Sequence, residues 1–85
     1  MQQKKGYILR RVAEQNILLS EQKTDFDAIV VLNETGAFLW ELLKQPQEPE
    51  QLVRQLRQEY DVDADTALRH VTEFTNKLKE LGVLE

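Results

Sequence analysis

Apolar positions follow two different rhythms in the two halves of the chain. Up to Leu32 they come in short runs cut by polar residues. Tyr7–Ala13 and Ile17–Leu19 read as strands. Glu14-Gln15-Asn16 reads as the turn between them, because Asn tolerates left-handed backbone angles. Glu21-Gln22-Lys23-Thr24-Asp25 forms a polar connector, and Phe26–Leu32 forms a third strand. The unbroken run Ala28–Leu32 predicts that both faces of this strand are wholly or partly covered. Residues 1–5 are expected to be loosely held.

From Asn33 the period changes to that of a helix. Asn33 suits an N-cap, and Glu34 favours the positive end of the helix dipole. Ala37, Phe38, Leu39, Trp40, Leu42 and Leu43 make the helix apolar around much of its circumference, so Phe38, Leu39 and Trp40 are core candidates. Gly36 inside it costs up to about 1 kcal/mol relative to Ala. It either admits a close backbone approach or is simply tolerated. Pro46 and Pro49 bracket a break, and Pro49 suits the first turn of a second helix. That helix presents Leu52, Val53, Leu56 and Tyr60 as one narrow stripe. Asp61-Val62-Asp63 separates it from a third helix, Ala64–Leu81, and either aspartate can cap the latter. Ala64, Ala67, Leu68, Val71, Phe74, Thr75, Leu78 and Leu81 share one face of this last helix. Gly82 ends it, and Val83-Leu84 packs back or pairs as a short strand. The element order predicts an α+β domain with a three-stranded antiparallel sheet against three helices.

Composition narrows the function. The 85 residues make one small domain with a modest core, and they include no Cys and a single His. Disulfides, zinc–thiolate sites and iron–sulfur clusters are therefore ruled out for this chain. No metal site or cofactor is expected, and a Cys-free acidic domain fits the cytoplasm. The net charge of −4 argues against broad nucleic-acid binding. No apolar run approaches the roughly 20 residues of a membrane span.

Candidate chemistry is sparse. His70 reads as a surface helical residue without a nucleophile beside it, and Ser20 lacks a nucleophile motif. Asp61, Asp63 and Asp65 alternate, but the glycine and bidentate Glu of a calcium loop are missing, so capping explains them better. No catalytic residue is assigned. Lys4, Lys5, Arg10 and Arg11 form the basic cluster of the chain, and a solvated strand end is its simplest reading.

The segments Gly6-Tyr7-Ile8-Leu9-Arg10, Leu32-Asn33-Glu34-Thr35-Gly36-Ala37 and Leu39-Trp40-Glu41-Leu42 occur in a familiar order. They are followed by Glu59-Tyr60-Asp61-Val62-Asp63, by Val71, Phe74 and Leu78, and by Gly82-Val83-Leu84. In these residues the chain resembles the PqqD family, whose fold is shared by the recognition elements of ribosomally made, post-translationally modified peptides. The resemblance implies a winged helix-turn-helix-like domain without catalytic activity. It would be a chaperone or adaptor that holds a precursor's leader peptide and presents the core to a modifying enzyme, often a radical-SAM maturase. The resemblance also implies that the leader adds as a strand along the third strand, beside the third helix. Peptide-binding residues would then be Asp27, Ala28, Ile29, Val30, Val31 and Leu32 on the strand. On the helix, the flank carrying Leu68, Thr72, Thr75 and Lys79, with Val71 next to it, is expected to face the peptide. The opposite flank carries His70, Phe74, Lys77 and Leu81. Leu68 and Thr75 depart from the charged and larger apolar residues common in relatives, which would adjust the leader accepted. The basic cluster would meet an acidic leader or the partner enzyme.

Two other readings compete. A winged-helix DNA regulator would need a strongly basic recognition helix. Arg54 and Arg57 are set against Glu50 and Glu59, and Arg69, Lys77 and Lys79 against Asp65, Glu73 and Glu80. A generic protein–protein module could dimerise through the same open strand edge, so the sequence leaves monomer or dimer open.

Overall fold

The computed structural model describes residues 1–21 and 28–85. Three strands, β1 (Tyr7–Val12), β2 (Gln15–Ser20) and β3 (Ala28–Leu32), precede three helices, α1 (Glu34–Leu42), α2 (Pro49–Glu59) and α3 (Ala64–Leu81). The sheet is antiparallel in the order β1-β2-β3. This is the α+β architecture expected. Phe26 and Asp27, expected at the start of β3, lie outside the described residues, as do residues 22–25 of the connector.

The hairpin turn sits elsewhere than expected. Ala13 and Glu14 occupy it, both with positive φ (50° and 70°), and Asn16 lies within β2 opposite Arg11 and Leu32. Two-residue turns with φ > 0 at both positions match strand twist, although non-Gly residues pay about 1 kcal/mol each to enter that region. The core overrides this local cost. Pairing Leu9 with Leu18 brings Leu18, fully buried, to the face that the helices cover. A shift by one residue would turn it to the other face.

Helix ends follow the sequence signals. The Asn33 side chain accepts from the Gly36 N–H at 2.7 Å, and Asp63 accepts from the Thr66 N–H at 2.7 Å. The Glu48 N–H donates to Gln51 Oε1 at 2.7 Å, with Pro49 opening α2. Gly82 closes α3 in the left-handed region, at φ 74°. The Thr66 hydrogen bonds hold the Asp63 carboxyl below its ordinary value of 3.8, and Arg57 and Arg69 reinforce this. A depressed carboxyl stabilises the fold above the unfolded value, and that contribution is lost as pH falls through the folded value. Asp63→Asn keeps an acceptor but loses the charge. The urea midpoint gap between wild type and Asp63→Asn should therefore shrink as pH drops through and below 3.8. A gap independent of pH would discount the charge.

The core is built by Leu18, Leu39, Trp40, Leu43, Leu52, Leu56, Val71, Leu78 and Val83, all nearly fully buried. Leu39 and Trp40 are core residues as expected. Phe38 is only partly buried and meets Tyr60 edge-on, with ring centroids 5.7 Å apart. Val83 and Leu84 do both things expected of them: they are buried, and Leu84 bridges Gln3.

Residues 1–5, expected to be loose, are tied down. The Met1 ammonium donates to Gln47 O at 2.8 Å, Gln3 N to Leu43 O at 2.9 Å, and Lys4 N to Val83 O at 2.9 Å. The end of α1 explains this. Carbonyls at and just after its end accept from distant donors, Trp40 O and Leu42 O doing so in addition to backbone N–H groups. Side-chain amides supply them: Gln3 reaches Trp40 O at 2.6 Å, Gln47 reaches Leu42 O at 3.0 Å and Gln2 reaches Lys44 O at 3.2 Å.

Candidate peptide-binding cleft

Hydrogen-bond parity defines the open edge of the sheet. Glu21 N donates to Gly6 O at 2.8 Å, and the two-residue turn makes Val12 and Gln15 a bonded pair. Even-numbered residues of β1 thus bond odd-numbered residues of β2. Even-numbered residues of β2 are left for β3, so Leu32 and Val30 turn their backbone groups toward Asn16 and Leu18. Val31, between them, turns its N–H and C=O to the other edge. Among the described residues no strand pairs there. Toward Ala28 the register shifts, with Leu18 opposite Val30 but Leu19 opposite Ala28. Such a bulge increases the local twist of an edge.

Side chains divide between the faces of the sheet. Leu9, Leu18, Val30 and Leu32 share the face toward the helices, while Arg10, Ile17 and Val31 share the other. Val31 is 50% exposed and Ile29 partly buried, so the outer face of the apolar run is only partly covered. The helices lie on one face, and Val31 points away from them.

Next to this edge lies a cleft of about 300 Å³. Its walls are the end of β3 (Val31, Leu32), the start of α1 (Asn33, Thr35, Gly36, Leu39) and one face of α3 (His70, Glu73, Phe74, Lys77). Gly36 is what lets the two helices meet at its base. A Cβ there would sit 3.3 Å from Phe74 Cε1 and 3.2 Å from Asn33 Oδ1. The close neighbours are thus side chains, an aromatic ring and a cap, rather than another backbone.

The flank of α3 expected from the helical wheel does not line this cleft. Val71 and Thr75 are buried in the core, at 1% and 5% exposure, and the Thr75 hydroxyl donates to Thr72 O at 3.3 Å. Leu68, 52% exposed, and the exposed Thr72 and Lys79 fall on the far side of that buried stripe. The opposite flank, His70, Phe74 and Lys77, faces the cleft, and Glu73 joins it. A wheel is symmetric about its buried stripe. Which flank meets β3 depends on how α3 is seated, and here the packing of Phe74 against Gly36 marks the side. Asn33, Thr35 and Gly36 also line the cleft, whereas the sequence signalled only a cap and a helix start. Of the strand residues expected to bind, Val31 and Leu32 line it, Ala28, Ile29 and Val30 continue the same strand, and Asp27 lies outside the described residues.

Among the described residues no group of three or more His, Asp or Glu is arranged to hold a metal ion, and no helix is long and apolar enough to cross a membrane. The one ion pair among them is Lys44–Glu41, so Glu73 and Lys77 have no salt-bridge partner there.

The architecture defines a class: an α+β domain in which an unpaired strand edge and a helix flank one groove. The chain belongs to the PqqD family. Residues 15–84 match the family described as Coenzyme PQQ synthesis protein D (PqqD). The fold is also similar to solved structures. One is TbiB1 in complex with the TbiA(beta) leader peptide, with a TM-score of 0.77 and 26% identity over 100% of this chain and 95% of that one. Another is a lasso peptide synthetase B1 complexed with the leader peptide, with a TM-score of 0.73 and 22% identity over 96% and 93% of the two chains. At that lower identity the likeness is one of fold. Comparison with curated proteins finds no match.

Proposed function

We propose that this chain is a non-catalytic adaptor that binds the leader of a ribosomal precursor peptide and presents it to a separate modifying enzyme, such as a radical-SAM maturase, in the cytoplasm. The observation that carries this reading is the outward backbone of Val31 beside the cleft. An extended peptide satisfies such an edge with main-chain hydrogen bonds that tolerate many sequences, and side-chain pockets then select among them. Strand alternation sends every second peptide side chain to the helix side, where half-buried Phe74, with Leu32 beside it, offers an apolar floor. On α3 the reading rests on His70, Glu73, Phe74 and Lys77 in place of Leu68, Thr72, Thr75 and Lys79. Family membership supports it, and so do the two similar proteins, whose solved structures hold leader peptides.

The test is a titration of the isotope-labelled chain with leader segments taken from short peptide genes beside its own, followed through amide shifts. Shifts should concentrate at residues 28–36 and 70–77. Shifts confined to α2 and the 1–5 segment would sink the proposal.

A further inference from the structure

The cleft pairs an apolar floor with two opposite charges that no ion pair neutralises among the described residues. Their order along α3 is asymmetric about Phe74. At about 1.5 Å of rise per residue, Lys77 lies about 4.5 Å from Phe74 toward the C-terminal end of the helix. Glu73 stands beside Phe74, and His70 lies about 6 Å the other way. In a strand laid along the groove, side chains two positions apart point the same way and are separated by about 6.7 Å. A peptide side chain seated on Phe74 therefore brings the residue two positions away to Lys77 on one side and to His70 on the other.

Resting on the peptide-binding reading, we infer that the cleft selects a peptide with an apolar residue and, two positions from it on one side only, an Asp or Glu. The apolar residue fills the space over Phe74, beside Leu32. The carboxylate meets the Lys77 ammonium. Glu73 repels a carboxylate at the seat and lies nearer along α3 to His70 (about 4.5 Å) than to Lys77 (about 6 Å), so the acid is favoured on the Lys77 side, which fixes the register and direction of the peptide. Charge placed this way discriminates more by excluding wrong partners than by adding affinity.

The probe is a library of random dodecapeptides displayed on phage and selected separately on wild-type protein and on Lys77→Glu. Lys77 is exposed, so the variant should stay folded, with its unfolding midpoint lowered only slightly by the like charge of Glu73 four residues away. Wild type should enrich peptides with an apolar residue and an acid two positions away, always on the same side. Lys77→Glu should replace that acid by Lys or Arg. For a synthetic winner the substitution should weaken binding by about fivefold, the range of a partly exposed ion pair turned repulsive. Enriched peptides without an acid at that spacing, or an acid preference unchanged by Lys77→Glu, would overturn the inference while leaving peptide binding intact. No enriched peptide on either protein would overturn the peptide-binding reading, and the inference with it.

Discussion

Val31→Pro should abolish most peptide binding while the protein still folds, whereas Val30→Pro should unfold it. Both substitutions remove one backbone N–H from β3. The Val30 N–H faces Leu18 across the ladder, so Pro there breaks a sheet hydrogen bond beside fully buried Leu18. The Val31 N–H faces the open edge, a position in which strands tolerate Pro. With a peptide bound, the Val31→Pro variant would leave the peptide's carbonyl without its donor in a desolvated groove. An unmade hydrogen bond of that kind costs about 1–3 kcal/mol, a loss of about tenfold or more in affinity. Binding isotherms of a selected peptide together with thermal melts of both variants check this. Equal affinity of Val31→Pro and wild type would rule out strand addition at this edge. Val31→Ala is the companion that should bind nearly as well as wild type, since its side chain points to the outer face.

The largest effect on stability should come from Trp40→Ala. Trp40 is 1% exposed and the largest fully buried side chain of the core, and its carbonyl accepts from Gln3 Nε2. Large-to-small changes at buried aromatic positions cost about 3–5 kcal/mol. A small domain holds roughly 5 kcal/mol or slightly more in total. Trp40→Ala should therefore keep only about 0–2 kcal/mol, with up to about half of the chain unfolded at room temperature and the urea midpoint lowered by more than half. A cooperative transition displaced by less than about 1 kcal/mol would contradict the placement of Trp40 as the keystone of the core. Peptide binding should fall with the folded fraction. Lys77→Glu differs in this respect, because it should alter selection with little change in stability.

Two kinds of change therefore separate. Side chains on α1 hold the domain together, while the open edge of β3, at which a peptide is proposed to add, is a backbone whose side chains say little about it. The segment Leu32–Leu43 contains both. Leu39 and Trp40 anchor the core, Leu32, Asn33, Thr35 and Gly36 line the cleft, and Val31, one residue upstream, offers the hydrogen bonds.

Local signals in the sequence were sufficient for the order and type of every element described. Apolar period separates strands from helices, and Asn33, Pro49, Asp63 and Gly82 mark helix ends, because caps and breakers act through a few neighbouring atoms. The family pattern spread from Gly6 to Leu84 also lies in the sequence alone. What tertiary structure decided were choices between locally similar alternatives. The hairpin turn moved to Ala13-Glu14 because burying Leu18 outweighs the local preference for Asn at a left-handed position. The N-terminal segment is tied down because the fold brings it against the end of α1 and against Val83, whose carbonyls accept from Gln2, Gln3 and Lys4. The cleft beside β3 is lined by His70, Phe74 and Lys77 and not by Leu68, Thr72 and Lys79, a choice the sequence leaves open because a helix with one buried stripe has two equivalent flanks. Only the seating of α3, with Phe74 against Gly36, makes them different.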